Sequence, residues 1–254
     1  MITRKRIALM LMLALMLSLV PFNGAFGKSD LKDEHVSVRV LEADPASDLV
    51  LDQVSAIIYP DGRVSVRTMG TKKAGTPEIV FDITVDVEAG TYKVELLTPR
   101  DELETYDDEA SSISSIKPGT YEIQVRLVTR DHLPQYELAS TTNRLRWTVY
   151  ANGTVFRNNH WYVFWTAQPS PIGTYWYTSW STSYSPWYSA GNTVINTKCE
   201  AQYWNNDFLD PNKYTWAWHH VTLSGTNSGV AAWYADWDHW GEFSGLLHGR
   251  VFVN

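Results

Sequence analysis

A single cysteine, Cys199, stands in the whole chain, so no intrachain disulfide is possible. A chain of this length folds without one, since roughly 230 residues bury enough apolar surface. Cys199 lies in an alternating run beside Ile195 and Ala201 and reads as a small core residue. Positive charge is also short: 21 Lys and Arg against 28 Asp and Glu leave a formal charge of −7. An acidic surface argues against nucleic acid and anionic membrane as partners, because both need a basic face. Catalytic signatures are missing as well. No His-Glu-x-x-His or Cys-x-x-Cys spacing occurs. The two near matches to Gly-x-Ser-x-Gly fail, with Thr226 ahead of Ser228 and Glu242 ahead of Ser244. The acidic run Asp101 to Glu109 lacks EF-hand spacing and the turn glycine, so it reads as a solvated loop.

Long apolar runs are absent beyond the N-terminus. There, Arg4-Lys5-Arg6 precede the apolar run Ile7 to Val20, Pro21 and then Ala25-Phe26-Gly27. This is a charged n-region, a short h-region and small residues before a cleavage point after Gly27. The run is short of the roughly 20 residues of a membrane-spanning helix. Residues 1–27 are therefore expected to be a signal peptide, with an uncleaved anchor as the alternative. Its loss removes three positive charges and takes the formal charge from −7 to −10. The expected destination is secreted, extracellular or at the cell surface.

Residues 28–35 read as a charged flexible tail. Beyond them, period-two alternation dominates. Ile79, Phe81, Ile83, Val85 and Val87 alternate with polar or charged residues, and so do Tyr121, Ile123, Val125 and Leu127. Turn signals separate such segments at Pro60-Asp61-Gly62, Gly90, Pro118-Gly119 and Asn152-Gly153. The pattern predicts an all-β chain of antiparallel strands. The expected layout is a β-sandwich of immunoglobulin-like architecture over 36–168 and a linker over 169–173. A second, smaller aromatic-rich β domain follows over 174–254. The Cys and Trp markers of antibody domains are absent, so the likeness is one of architecture alone.

The first 146 residues contain no tryptophan; all twelve lie at or after Trp147. They come in clusters such as His160 to Trp165, Tyr175-Trp176-Tyr177, Trp216-Ala217-Trp218 and Trp233 to Trp240. Large rings stabilise β cores, which accounts for many of them. A strand, however, sends neighbouring side chains to opposite faces. Trp233 and Tyr234 must therefore diverge, as must Trp161 and Tyr162, while Trp216 and Trp218 share a face. Rings are left over for a partner, and exposed aromatic patches mark binding surfaces. The candidate ligand-binding residues are Trp176, Trp216, Trp218, Trp233, Trp237 and Trp240, with Asp236 and Asp238.

The favoured function is non-catalytic binding of a polysaccharide or cell-surface glycan. Rings stack on pyranose faces, and amides and carboxylates bond the hydroxyls. Membrane contact is the second use of the same rings, since Trp and Tyr favour the bilayer interface. Trp176, Trp180, Tyr184 and Trp187 also recur at spacings near four, which a helical turn would gather on one side. A small hydrolase is the third possibility, with paired carboxylates drawn from Asp207, Asp210, Asp236, Asp238 and Glu242. Five of seven histidines fall in the aromatic half, but without metal-ligand spacing they read as polar decoration. No catalytic residue, metal or cofactor is implied. A co-planar row of rings would favour sugar, a protruding apolar loop membrane, and a cleft with two carboxylates hydrolysis.

Overall fold

Alternation of apolar and polar side chains produces strands in nearly every described segment. The computed structural model describes residues 39–43, 54–99, 116–131, 136–170, 174–205 and 213–254. The expected signal peptide, tail and acidic loop lie outside the described residues. In chain order the strands are β1 (Arg39–Val40), β2 (Glu42–Ala43), β3 (Val54–Ile58), β4 (Val64–Lys73) and β5 (Ile79–Asp86). Next come β6 (Thr91–Leu96), β7 (Gly119–Asp131), β8 (Glu137–Val149), β9 (Val155–Thr166) and β10 (Tyr177–Ser189). The last four are β11 (Val194–Asn205), β12 (Thr215–Thr226), β13 (Val230–Gly241) and β14 (Leu247–Val253). Among the described residues there is no α-helix.

The strands form two seven-stranded sheets, β1-β3-β4-β13-β12-β11-β10 and β2-β6-β5-β14-β7-β8-β9. Every pairing is antiparallel except β2 with β6. The turns fall where glycine allows a left-handed backbone, as at Gly62 between β3 and β4 and Gly153 between β8 and β9. Strands from both sides of residue 170 share each sheet. β13 pairs with β4 in the first, and β14 runs between β5 and β7 in the second. The expected linker at 169–173 falls in the passage from β9, an edge of the second sheet, to β10, an edge of the first.

One hydrophobic cluster draws on the inner faces of both sheets, with Phe81, Leu127, Leu145 and Trp147 meeting Ile195, Tyr203, Leu223 and Trp237. Polar groups cross the same gap. The Trp147 indole donates to the Thr226 carbonyl at 3.0 Å, and Asn143 donates to the Val221 carbonyl at 3.0 Å. A longer chain runs Trp237, Thr129, His219, Thr141, Tyr203, Ser140. Its direction follows from its last acceptor. The Ser140 carbonyl can only accept, so Tyr203 spends its one proton there (2.7 Å). Thr141 must then donate to the Tyr203 hydroxyl (2.8 Å) and accept from His219 Nδ1–H (3.2 Å). The bare Nε2 accepts from the Thr129 hydroxyl (2.7 Å), which itself accepts from the Trp237 indole (3.0 Å). A proton on Nε2 instead would leave two acceptors facing each other between His219 and Tyr203, because the one Tyr203 proton is committed to the Ser140 carbonyl. Burial and the nearby His220 hold the His219 pKa down to about 3, and burial does the same for His239.

Glycines make room for the indoles. A Cβ on Gly225 would stand 2.5 Å from a ring carbon of Trp147, and one on Gly249 would stand 2.9 Å from Trp237. Gly225→Ala is therefore expected to cost about 1–3 kcal/mol by overpacking. The check is a fall in urea midpoint at unchanged slope; an unshifted midpoint would contradict the packing. Both buried histidines are neutral when folded and titrate near 6.5 when unfolded. Protonation thus favours the unfolded chain. Stability is full above about pH 6.5 and falls as pH drops toward 3, by about 1.4 kcal/mol per pH unit for each histidine. Urea titrations across this range test it, and a flat stability from pH 7 to pH 5 would contradict it.

Candidate functional site

On the outer face of the first sheet, direct cross-strand pairing sets side chains in rows. Trp240 of β13 lies opposite Trp216 of β12, Trp216 opposite Trp204 of β11, and Trp204 opposite Tyr177 of β10. Centroids are 5.8, 6.0 and 5.1 Å apart, with interplanar angles of 6°, 32° and 29°. Tyr175 continues the series at 6.5 Å from Tyr177. Rings this close cannot lie in one plane. They stand against one another face to face and show their edges to solvent, which differs from a co-planar row. The cause is the strand spacing of about 4.8 Å, close to the separation of stacked rings.

The second row is Asp238, Trp218, Gln202 and Trp180. Trp180 meets Trp218 edge-on at 6.3 Å and 81°, so the two rings do not cover each other face to face. The third row is Arg67, Asp236, His220, Glu200 and Thr182. Here His220 Nδ1 donates to Glu200 at 3.0 Å, Lys198 pairs with the same carboxylate, and the Tyr184 hydroxyl donates to it at 3.1 Å. Burial alone would raise the Glu200 pKa, but the bonds from His220 and Lys198 outweigh it and pull it to about 2. Arg63 holds Asp238 at 3.1 Å and Arg67 reaches Asp236 at 3.6 Å. Burial and the neighbouring Asp236 still push the Asp238 pKa above the usual carboxylate range.

Strand β10 adds a row along its own length. Its register shifts twice, between Thr178 and Trp180 and between Tyr184 and Trp187. Each shift absorbs one residue. Tyr177, Trp180, Tyr184 and Trp187 therefore pair with Trp204, Gln202, Lys198 and Asn196, all on one face of β11. This corrects the helical expectation for these rings: they are gathered by a bulged strand. Trp176 is not with them; it is buried at 0 % exposure.

Of the eight expected site residues, Trp216, Trp218, Trp240, Asp236 and Asp238 come together on this outer face. Trp176, Trp233 and Trp237 point into the core, where Trp233 packs against Phe81 and Trp237 bonds Thr129. All three are core residues rather than ligand contacts: Trp233 and Trp237 hold strand positions that alternate with outward neighbours, and Trp176 is buried just ahead of β10. Trp180, Tyr184 and Trp187, grouped by their spacing, join the surface, and so do Tyr177, Trp204, Glu200 and His220, which are not among the candidate ligand contacts. The alternation around Tyr203-Trp204 could have signalled Trp204; the β10 bulges have no local signal.

A second exposed aromatic stretch lies on β9, at the corresponding edge of the other sheet. Phe156, Val163 and Trp165 are exposed there, and Arg144 covers the Trp161 ring at 3.9 Å. Cys199 is buried, and burial first of all pushes its thiol well above the ordinary range, which fits a core residue. Among the described residues, no three His, Cys, Asp or Glu side chains converge as metal ligands. No family model matches the chain, and neither a curated protein nor a solved structure matches it.

Glu200 anchors Lys198, His220 and Tyr184 beneath the rings. Its folded pKa of about 2 lies below the ordinary 4.5, so its contribution is present above about pH 4.5 and lost as pH falls through 2. Glu200→Gln is expected to lower stability at neutral pH and to flatten its pH dependence between these values. A variant with the unaltered acid profile would contradict the assignment.

Proposed function

We propose that this chain is a secreted, non-catalytic binding protein that takes carbohydrate on the outer face of its first sheet. The observation that carries the reading is the interleaving of rings with hydrogen-bonding groups on one continuous face. Trp218 and Trp180 flank the half-buried Gln202, one strand apart on either side, with Arg63 covering the buried Asp238 beyond Trp218. Pyranoses offer apolar faces and a rim of hydroxyls, and a surface of this composition suits both. The carboxylates are held by arginine, lysine and histidine, which suits positioning more than proton transfer. We read the two facing sheets as one β-sandwich, of the layer type that immunoglobulin-like domains share, that serves as a rigid platform for this face.

A second reading is supported by the two free edges. β10 contains no ionisable side chain other than tyrosine, and exposed aromatics line both β9 and β10. Such edges suit the interface of a neutral bilayer. Intrinsic tryptophan fluorescence separates the readings. Titration with soluble polysaccharides is expected to give a saturable shift, weakened in Trp218→Ala. A blue shift with zwitterionic vesicles and no response to any polysaccharide would replace the carbohydrate reading with the membrane one.

A further inference from the structure

We infer that the ligand is an unbranched, uncharged polysaccharide that lies lengthwise along β10 and β11 and is recognised within its chain rather than at its ends. The inference rests on the carbohydrate reading above. Across the strands, the rings of the first row stack or tilt against one another at 5.1–6.0 Å and are half-buried. Along β10 the situation is different. Trp180, Tyr184 and Trp187 are 44 %, 42 % and 39 % exposed. The segment from Tyr177 to Trp187 extends roughly 30 Å at about 3.3 Å per residue. Beside these rings, on the neighbouring strand, run the half-buried Gln202 and Lys198, while the buried Asn196 next to Trp187 is bonded to Ser189, Ser224 and the Trp187 carbonyl and steadies that end. An aromatic rail next to a polar rail matches a polymer that repeats the same apolar face and the same hydroxyl edge. A chain end would need an enclosing pocket instead.

The rails are set before any ligand arrives. Glu200 accepts from the Tyr184 hydroxyl, the Lys198 ammonium sits 5.2 Å over the Tyr184 ring, and Trp180 rests edge-on against Trp218. Rings already held lose little side-chain freedom on binding. Charge points to an uncharged polymer. On this face Arg63 pairs with Asp238, Arg67 with Asp236 and Lys198 with Glu200, so three cations match three carboxylates. Within these three pairs charge is balanced, although the chain carries −7. A polyanion would meet paired cations and an acidic surround, and a polycation would find each carboxylate already engaged.

The test uses the full chain and calorimetry against linear neutral oligosaccharides from the disaccharide upward, the parent polysaccharides, and carboxymethylated forms of the same backbones. Affinity for a neutral glycan is expected to climb with length over several units. Trp180→Ala and Trp187→Ala are each expected to weaken it about tenfold or more. Trp180→Tyr, which keeps a ring face, should retain most of it, and Trp165→Ala on β9 should leave it unchanged. A disaccharide that binds as tightly as the polymer, a preference for the carboxymethylated form, or full affinity in both alanine variants would overturn the track and leave carbohydrate binding standing. Failure of every glycan to bind would remove the carbohydrate reading itself, and the track with it.

Discussion

Which side of each strand meets solvent is decided between the sheets. Trp147 reaches from β8 to the Thr226 carbonyl, and Trp237 reaches from β13 to Thr129 of β7. Each indole sits against a glycine of the opposite sheet, Gly225 and Gly249. A one-residue slip in any of these strands would exchange its faces and send the core rings outward. With both indoles seated, Trp216, Trp218 and Trp240 have nowhere to go but the outer face. The directional chain through His219 adds a constraint that apolar packing lacks, since each bond in it has one acceptable direction. The outer surface is thus a consequence of the inner one.

The alternating pattern made the strands readable, and it also told which rings must part company. Trp233 turns in and Tyr234 out, while Trp216 and Trp218 stay together, as period two requires. What could not be read is which member of each pair faces the core. That choice depends on neighbours distant in the chain, such as Gly249 beneath Trp237 and Phe81 beside Trp233. Three of eight candidate residues were misplaced for this reason. The sharing of both sheets by early and late strands was hidden likewise, because the pairing of β13 with β4 joins residues more than 150 positions apart. The spacing of Trp180, Tyr184 and Trp187 placed them together but pointed to a helical turn; two extra residues in β10 restore to one face a spacing that a regular strand would split.

Charge and aromaticity complete one another on the outer face. Arg63, Arg67 and Lys198 each have a carboxylate there, and several of these groups also hold a ring. Lys198 and Glu200 grip Tyr184, and Arg67 lies 5.4 Å from the Tyr234 ring while pairing with Asp236. Half-buried ion pairs of this kind contribute modestly to stability. Their larger effect is to fix rings that would otherwise rotate, which turns a decorated sheet into a preformed surface.

The central claim is the division of the twelve tryptophans between an inner and an outer set. Fluorine NMR of protein labelled with 5-fluorotryptophan, with a soluble paramagnetic agent and resonances assigned by single Trp→Phe substitutions, measures that division directly. The account predicts strong broadening of Trp165, Trp180 and Trp187, and sharp, protected signals from Trp147, Trp176, Trp233 and Trp237. Broadening of Trp233 or Trp237 to the level of Trp180 would contradict it, because the outer face would then have lost the inner anchors that define it.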